Sequence, residues 1–200
     1  MKGRILPFRS KADGARRTGG DVPMSAAEQE RFRRLVLPHL DSAYNFARFL
    51  CRDGALAEDI VHDAFLRACR GFADFRGDNP KAWLFAIVRN GVFSAASAAR
   101  VRAEVFAPGE PDELVAARAE NADGPEAAII RSSEIEIVRG AIEALPQPFR
   151  ETLVLRELEE LSYREVAAIT GAPIGTVMSR LARARRMLAT ALASQEEMRA

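Results

Sequence analysis

Residues 161–186, LSYREVAAITGAPIGTVMSRLARARR, leave this chain few ways to fold. Ser162 and Glu165 have the Ser-x-x-Glu spacing of a capping box, which satisfies free amides where a helix begins. Val166, Ile169 and Ile174 supply an apolar face, and Ala167 and Ala168 are small enough for two helices to cross closely. Gly171 suits the left-handed residue that ends a helix, and Pro173 suits the first turn of the next. In that second helix Val177, Leu181 and Leu188 share one side, while Thr176, Ser179, Arg180 and Arg183 point elsewhere. The layout predicts a helix-turn-helix whose second helix enters a DNA major groove. The alternative is an ordinary helical hairpin with a solvated basic face. Four arginines within seven residues, Arg180, Arg183, Arg185 and Arg186, beside small polar side chains favour DNA.

A formal net charge of only +1 argues, taken alone, against a nucleic-acid partner. The sum hides an uneven distribution. Residues 162–190 carry five arginines and one glutamate, whereas residues 103–127 carry seven acids and one arginine. A basic DNA-facing module and an acidic segment cancel within one chain. The hydrophobic fraction of 48% supports real cores. Cys51 and Cys69 have no Cys-x-x-Cys or zinc-finger spacing, so they read as small hydrophobes in a reducing cytoplasm rather than metal ligands. No run of eighteen apolar residues occurs, so membrane insertion is not expected. Residues 1–24 hold six basic and two acidic residues with no apolar core of a secretory signal. They read as a disordered basic tail, with Met24 as an alternative start.

The helical period repeats upstream. Ser25 and Glu28 form a second capping box that opens helix over 25–52, kinked or restarted at Pro38. After a break at Asp53-Gly54, a helix is predicted over 55–71, with Leu56, Ile60, Ala64 and Phe65 on its apolar face. Residues 72–79, FADFRGDN, read as a loop, and Pro80 starts a helix to about Arg102 around Trp83, Leu84, Ile87 and Val88. Residues 104–125 hold Pro108, Gly109, Pro111, Gly124 and most of the acids, which predicts a flexible acidic linker. Helix resumes over 126–144, breaks at Leu145-Pro146-Gln147-Pro148, and restarts over 149–157 before the helix-turn-helix. The expected fold is all-α, with small helical domains at 25–103 and 126–194 and a tail at 195–200.

In that order the chain resembles a bacterial sigma factor of the small extracytoplasmic-function type. Residues 57–70, AEDIVHDAFLRACR, resemble the helix that docks the family's first domain on RNA polymerase. Residues 75–90, FRGDNPKAWLFAIVRN, resemble the segment that captures and melts the promoter's −10 element. The stretch over 143–190 resembles the domain that reads the −35 element; its ALP-x-x-x-RE and GT-V-x-SRL-x-RAR elements arrive together in the family's order. The resemblance implies core RNA polymerase, promoter DNA and an anti-sigma factor as partners. It implies no cofactor, no small-molecule substrate and no catalytic residues. Three positions depart from the family pattern. Residues 94–99 read Ser-Ala-Ala-Ser-Ala-Ala where a basic run is usual, Met178 stands where lysine or arginine is common, and His62 stands where glutamine is usual.

The resemblance implies a polymerase-binding face of Asp59, Asp63, Leu66 and Arg67, which lie within two turns on one side of a helix. The bland reading of that face is solvated surface. For −10 DNA it implies Phe72, Phe75, Arg76, Asp78, Asn79, Arg89 and Asn90, where aromatic and polar loop groups can hold an unstacked base. The alternative is a loop anchored by two core phenylalanines. For −35 DNA it implies Thr176, Ser179, Arg180, Arg183, Arg185 and Arg186. Of these, Arg180 and Arg183 are expected at bases or phosphates, and Arg185 and Arg186 at the backbone. Two competing functions remain open from residues alone. One is a helix-turn-helix regulator that binds operator DNA without polymerase. The other is a metal-dependent helical nuclease using Asp59, His62 and Asp63.

Overall fold

The computed structural model describes residues 24–106 and 129–197. The basic tail and nearly all of the acidic linker expected from the sequence lie outside the described residues. Within them the chain forms eight α-helices and no strand. Both capping boxes close as the spacing requires. The Ser25 hydroxyl accepts from the Glu28 amide at the start of α1 (Ala26–Leu35), and Ser162 accepts from the Glu165 amide at the start of α7 (Tyr163–Thr170). Pro38 sits in a single 3₁₀ turn, Leu37–His39, so the predicted kink is a full restart at α2 (Leu40–Cys51).

The next break falls one residue earlier than Asp53-Gly54. Arg52 takes the left-handed conformation that ends α2 (φ 59), and Asp53 caps α3 (Gly54–Gly71) by accepting from the Leu56 amide at 3.0 Å. Leu56 is 38% exposed and does not belong to the apolar face assigned to it; Ala57 takes its place in the core. Asn79 caps α4 (Pro80–Phe106), its Oδ1 accepting from the Ala82 amide at 3.1 Å. The stretch Pro80–Val101 is apolar and long enough to cross a bilayer by composition alone. Here Leu84, Phe85, Val88 and Val92 bury one stripe of it, and α4 packs against α2 and α3. Gly91 sits where α4 passes close to α3, since a Cβ there would stand 3.0 Å from Cγ2 of Ile60.

Phe72 and Phe75 correct the sequence reading. Phe72 is fully buried and Phe75 is 6% exposed, so neither is offered to a DNA base. The Phe72 ring meets Phe32 edge-on at 5.1 Å and stacks with Phe75 at 6.0 Å, while Trp83 closes on Phe75 at 4.8 Å. The aromatic cluster ties the loop, which opens with a single 3₁₀ turn at Phe72–Asp74, to α1 and α4.

Beyond the linker, α5 (Ile129–Glu143) leads to α6 (Gln147–Leu153), which starts two residues before the position predicted from Pro148. Its continuation, Val154–Leu158, widens into a π-helical turn in which the Glu159 amide reaches back to Val154 O at 3.0 Å. Gly171 ends α7 with φ 67, and α8 (Ile174–Glu197) runs past the expected domain end at 194. Val166, Ile169, Val177, Leu181 and Ala184 form the core of the helix-turn-helix. Ile174 is 44% exposed and stays outside it.

Because Phe72 closes the aromatic core of the first four helices, Phe72→Ala should lower the stability of the chain by about 3–5 kcal/mol, read by chemical denaturation.

Candidate functional site

Three surfaces follow from this packing. The first is the outward side of α8. With Val177, Leu181 and Ala184 turned inward, the helical period sends Ser179, Ala182, Arg183 and Arg186 outward, and all four are exposed. Gly175 and Ala182 keep this side low, so a groove wall or base edge can approach the backbone closely. Thr176 and Arg180 are half-buried and line a cleft shared with Arg89, Phe93, Glu151 and Gly171. The four arginines are therefore not equivalent. Arg185 donates to Glu157 Oε1 at 2.5 Å, a hydrogen-bonded pairing that holds its guanidinium above the ordinary range. Arg183 lies 5.3 Å from the centre of the Phe149 ring. Arg186 is exposed and lines a shallow hollow with Arg183, Met187 and Thr190. Met178 is 53% exposed and, with Ile174, places an apolar edge beside the polar stripe.

The second surface lies on α3. Asp59, Asp63, Leu66 and Arg67 are all exposed on it, as their spacing requires. Asp59, Asp63 and Arg67 form one wall of a groove of ≈ 320 Å³ whose floor and opposite wall are Ile60, Ile87, Gly91, Ser94 and Ala95. The run of small residues on α4 leaves this groove open. His62 is exposed on the same helix, and among the described residues no three His, Cys, Asp or Glu side chains converge in a way that can hold a metal ion.

The third surface surrounds the loop before α4, and here the sequence-predicted residues separate. Arg76, Asp78 and Asn90 are exposed. Arg76 folds back on its own loop, donating to Ala73 O at 2.5 Å. Asn79 and Arg89 are half-buried and face α6 and α7 rather than solvent. The Asn79 amide donates to Glu165 Oε1 at 2.5 Å, and Arg89 is paired with Glu151 while lying 4.5 Å over the Phe93 ring. At Glu165 burial pushes the carboxyl up, but hydrogen bonds from Ser162 and Asn79 outweigh it and hold the group below its ordinary value.

Sequence reasoning missed the polar seam that takes up Asn79 and Arg89. Lys81 pairs with Glu159 at 2.9 Å and also donates to Glu159 O at 2.8 Å. Arg150 donates to Leu50 O at 3.2 Å and to Glu143 O at 2.6 Å. One signal was legible. Arg150 and Glu151 stand between Phe149 and the apolar run 153–155, where two adjacent charges have no reason to be buried unless something pairs with them.

Family comparisons agree with this geometry. Residues 35–101 match the model of Sigma-70 region 2, and residues 135–188 match Sigma-70 region 4. The RNA polymerase sigma-H factor of Pseudomonas aeruginosa is 31% identical over 82% of this chain and 88% of its own length. The ECF RNA polymerase sigma-E factor of Escherichia coli is 35% identical over 80% of this chain and 86% of its own. Among solved structures, the sigma factor RpoE of Bartonella quintana, in complex with the anti-sigma factor NepR, superposes with a TM-score of 0.66 at 28% identity. That match covers 82% of this chain and 98% of the other. With regions 2 and 4 matched in order and such relatives aligned over most of their length, the chain belongs to the extracytoplasmic-function sigma factors, alternative sigma factors that direct RNA polymerase to specific promoters.

Proposed function

We propose that the chain divides its work between residues 25–103, which bind core RNA polymerase and the −10 element, and residues 126–194, which read the −35 element. The observation that carries this division is the outward side of α8, where Ser179, Arg183 and Arg186 stand exposed on a helix anchored by Val177, Leu181 and Ala184. Arg183 and Arg186 are free to reach base edges or phosphates. Arg185, tied to Glu157, contributes to the backbone only after giving up that partner, and Arg180 and Thr176 sit at the inner edge of the same helix.

The groove-side residues Asp59, Asp63 and Arg67, with Leu66 beside them, form the polymerase-docking face: charge for orientation and an exposed leucine for anchorage. Arg76, Asp78, Asn79, Arg89 and Asn90 remain the groups available to −10 DNA, and Phe72 and Phe75 support them from within the core. Melting is driven by binding: flipped bases gain protein contacts that offset lost stacking. No residue of this chain performs covalent chemistry, and the polymerase supplies the reaction. The complex of the Bartonella quintana relative with NepR supports an anti-sigma factor as a further partner, in the cytoplasm.

Run-off transcription with bacterial core polymerase and a pool of genomic promoter fragments tests the reading. Discrete transcripts are expected. Arg186→Ala should cut them by about tenfold or more, as loss of a base contact worth ~1–3 kcal/mol requires. Arg185→Ala should have the smaller effect, and equal losses at the two positions would contradict the assignment. Asp63→Arg should weaken binding of core polymerase by roughly tenfold while leaving the helical circular-dichroism spectrum unchanged. Unaltered polymerase affinity would remove α3 from the docking face.

A further inference from the structure

Two of the exposed apolar side chains stand together at the start of α8. Ile174 is 44% exposed and Met178 is 53% exposed. At four-residue spacing they lie one above the other, and Ala182 and Arg186 continue the same row, all of it exposed. The neighbouring row is Gly175, Ser179 and Arg183, also exposed. A Cβ at Gly175 would meet nothing within 4 Å, so packing inside the chain does not call for glycine there. Apolar residues scattered singly over a surface are ordinary. An adjacent pair on the side of a helix assigned to DNA asks for a partner.

We propose that Met178, with Ile174 beside it, is a specificity-determining contact of the −35-reading helix, and that its target is the C5-methyl group of a thymine in the major groove. The inference deepens the promoter reading given above and rests on it. In a helix-turn-helix the first residues of the second helix reach the base edges. Here those residues, Ile174 to Ser179, carry no charge, and the outward arginines begin a turn later at Arg183. The base-reading end must therefore discriminate by something other than a cation. Ser179 adds little, since its hydroxyl already donates to Thr176 O at 3.0 Å and serine accepts from any base that offers a donor.

Met178 discriminates by what it lacks. Its thioether donates no hydrogen bond and accepts one only weakly, so against a guanine or cytosine edge it leaves polar groups without a partner. Thymine alone presents a methyl group in the major groove. Over that methyl, Met178 removes apolar surface from water on both sides of the contact. The side chain is unbranched and polarizable, which lets it follow the methyl across small changes of groove geometry. The lysine or arginine common at this position in the family would seek a phosphate or a guanine instead. Gly175 and Ala182 flank Met178 without bulk, so the apolar edge can come down onto the base pairs.

The test uses holoenzyme reconstituted from the full chain and bacterial core polymerase, on promoters recovered from its own run-off transcripts. Each −35 thymine, on either strand, is replaced in turn by deoxyuridine, which removes the methyl group and keeps the base pair. At one thymine, or two adjacent ones, promoter binding should fall about fourfold, as loss of one buried methyl group requires. Met178→Ala should abolish that fall, and Met178→Leu, apolar and of similar size, should retain it. The coupling between side chain and methyl identifies the contact, whatever either change does alone. Elements with no thymine on either strand, or with none sensitive to deoxyuridine, overturn the inference. So does a Met178→Ala variant that binds thymine and deoxyuridine DNA with equally reduced affinity while wild type also fails to tell them apart, the result expected if a protein surface covers this edge. Absence of run-off transcripts from the wild type is the separate failure of the promoter reading, and it removes this inference as well.

Discussion

The guanidinium of Arg150 is the charge around which the rest of the structure is arranged. It is 5% exposed, and burial together with the neighbouring Arg52 pulls its pKa down to about 10, which still leaves it charged at neutral pH. A buried cation must find acceptors, and here they are main-chain carbonyls at two helix ends. Nη1 donates to Glu143 O and Leu145 O where α5 finishes, and Nη2 donates to Leu50 O near the end of α2. Unpaired carbonyls at helix C-termini carry partial negative charge, so one side chain satisfies two helices and is stabilised by both dipoles. Arg52 adds a second donor to Glu143 O from the left-handed residue that ends α2. The turn after α5, the start of α6 and the end of α2 are thereby fixed relative to one another.

Glu151 follows Arg150 directly within α6 and turns toward α4. Two adjacent residues of one helix thus engage two different helices of the first unit: Arg150 the end of α2, Glu151 the middle of α4 through Arg89. Half-satisfied, such a pair would be worse than an apolar seam, because each buried charge left alone costs its full desolvation. Here both Nη atoms of Arg150 find acceptors while its buried Nε finds none, and the bonds that are made discriminate between the docked arrangement and any slipped one. The widened π turn at Val154–Leu158 belongs to the same design. It carries Glu159 past the end of a regular helix to where Lys81 meets both its carboxylate and its carbonyl.

Much of this was legible in the residues, and the reasons are local. Both Ser-x-x-Glu boxes, the left-handed Gly171 and the inward Val177 and Leu181 depend on neighbours within one or two turns, so sequence spacing determines them. The misassigned residues depend on distant partners. Nothing near Phe72 in sequence reveals that Phe32, forty residues earlier, completes its aromatic cluster. Leu56 and Ile174 match an apolar period but fall in the first turn of their helices, where no neighbouring element covers them. Asp59, Asp63 and Arg67 stand exposed on α3 as their spacing requires because these charges have no apolar alternative. The internal partners of Asn79 and Arg89 were not legible because the glutamates lie more than sixty residues away.

The thinned basic character of α4 takes on meaning in this setting. Residues 94–99 are serine and alanine, and they leave an open wall beside the docking groove rather than a row of phosphate ligands. On the reading proposed above, the cations assigned to promoter DNA lie on α8 and at Arg76 and Arg89, and Arg89 is paired with Glu151. Since each neutralised phosphate adds to affinity through counterion release, the absence of a basic run at residues 94–99 removes that contribution from this stretch of α4. On the reading proposed above, the first unit's grip on the −10 element comes from base contacts in the loop and from the polymerase that carries it there. A chain with net charge +1 is consistent with a DNA-binding role because the five arginines of residues 162–190 are offset in the sum by the seven acids of residues 103–127.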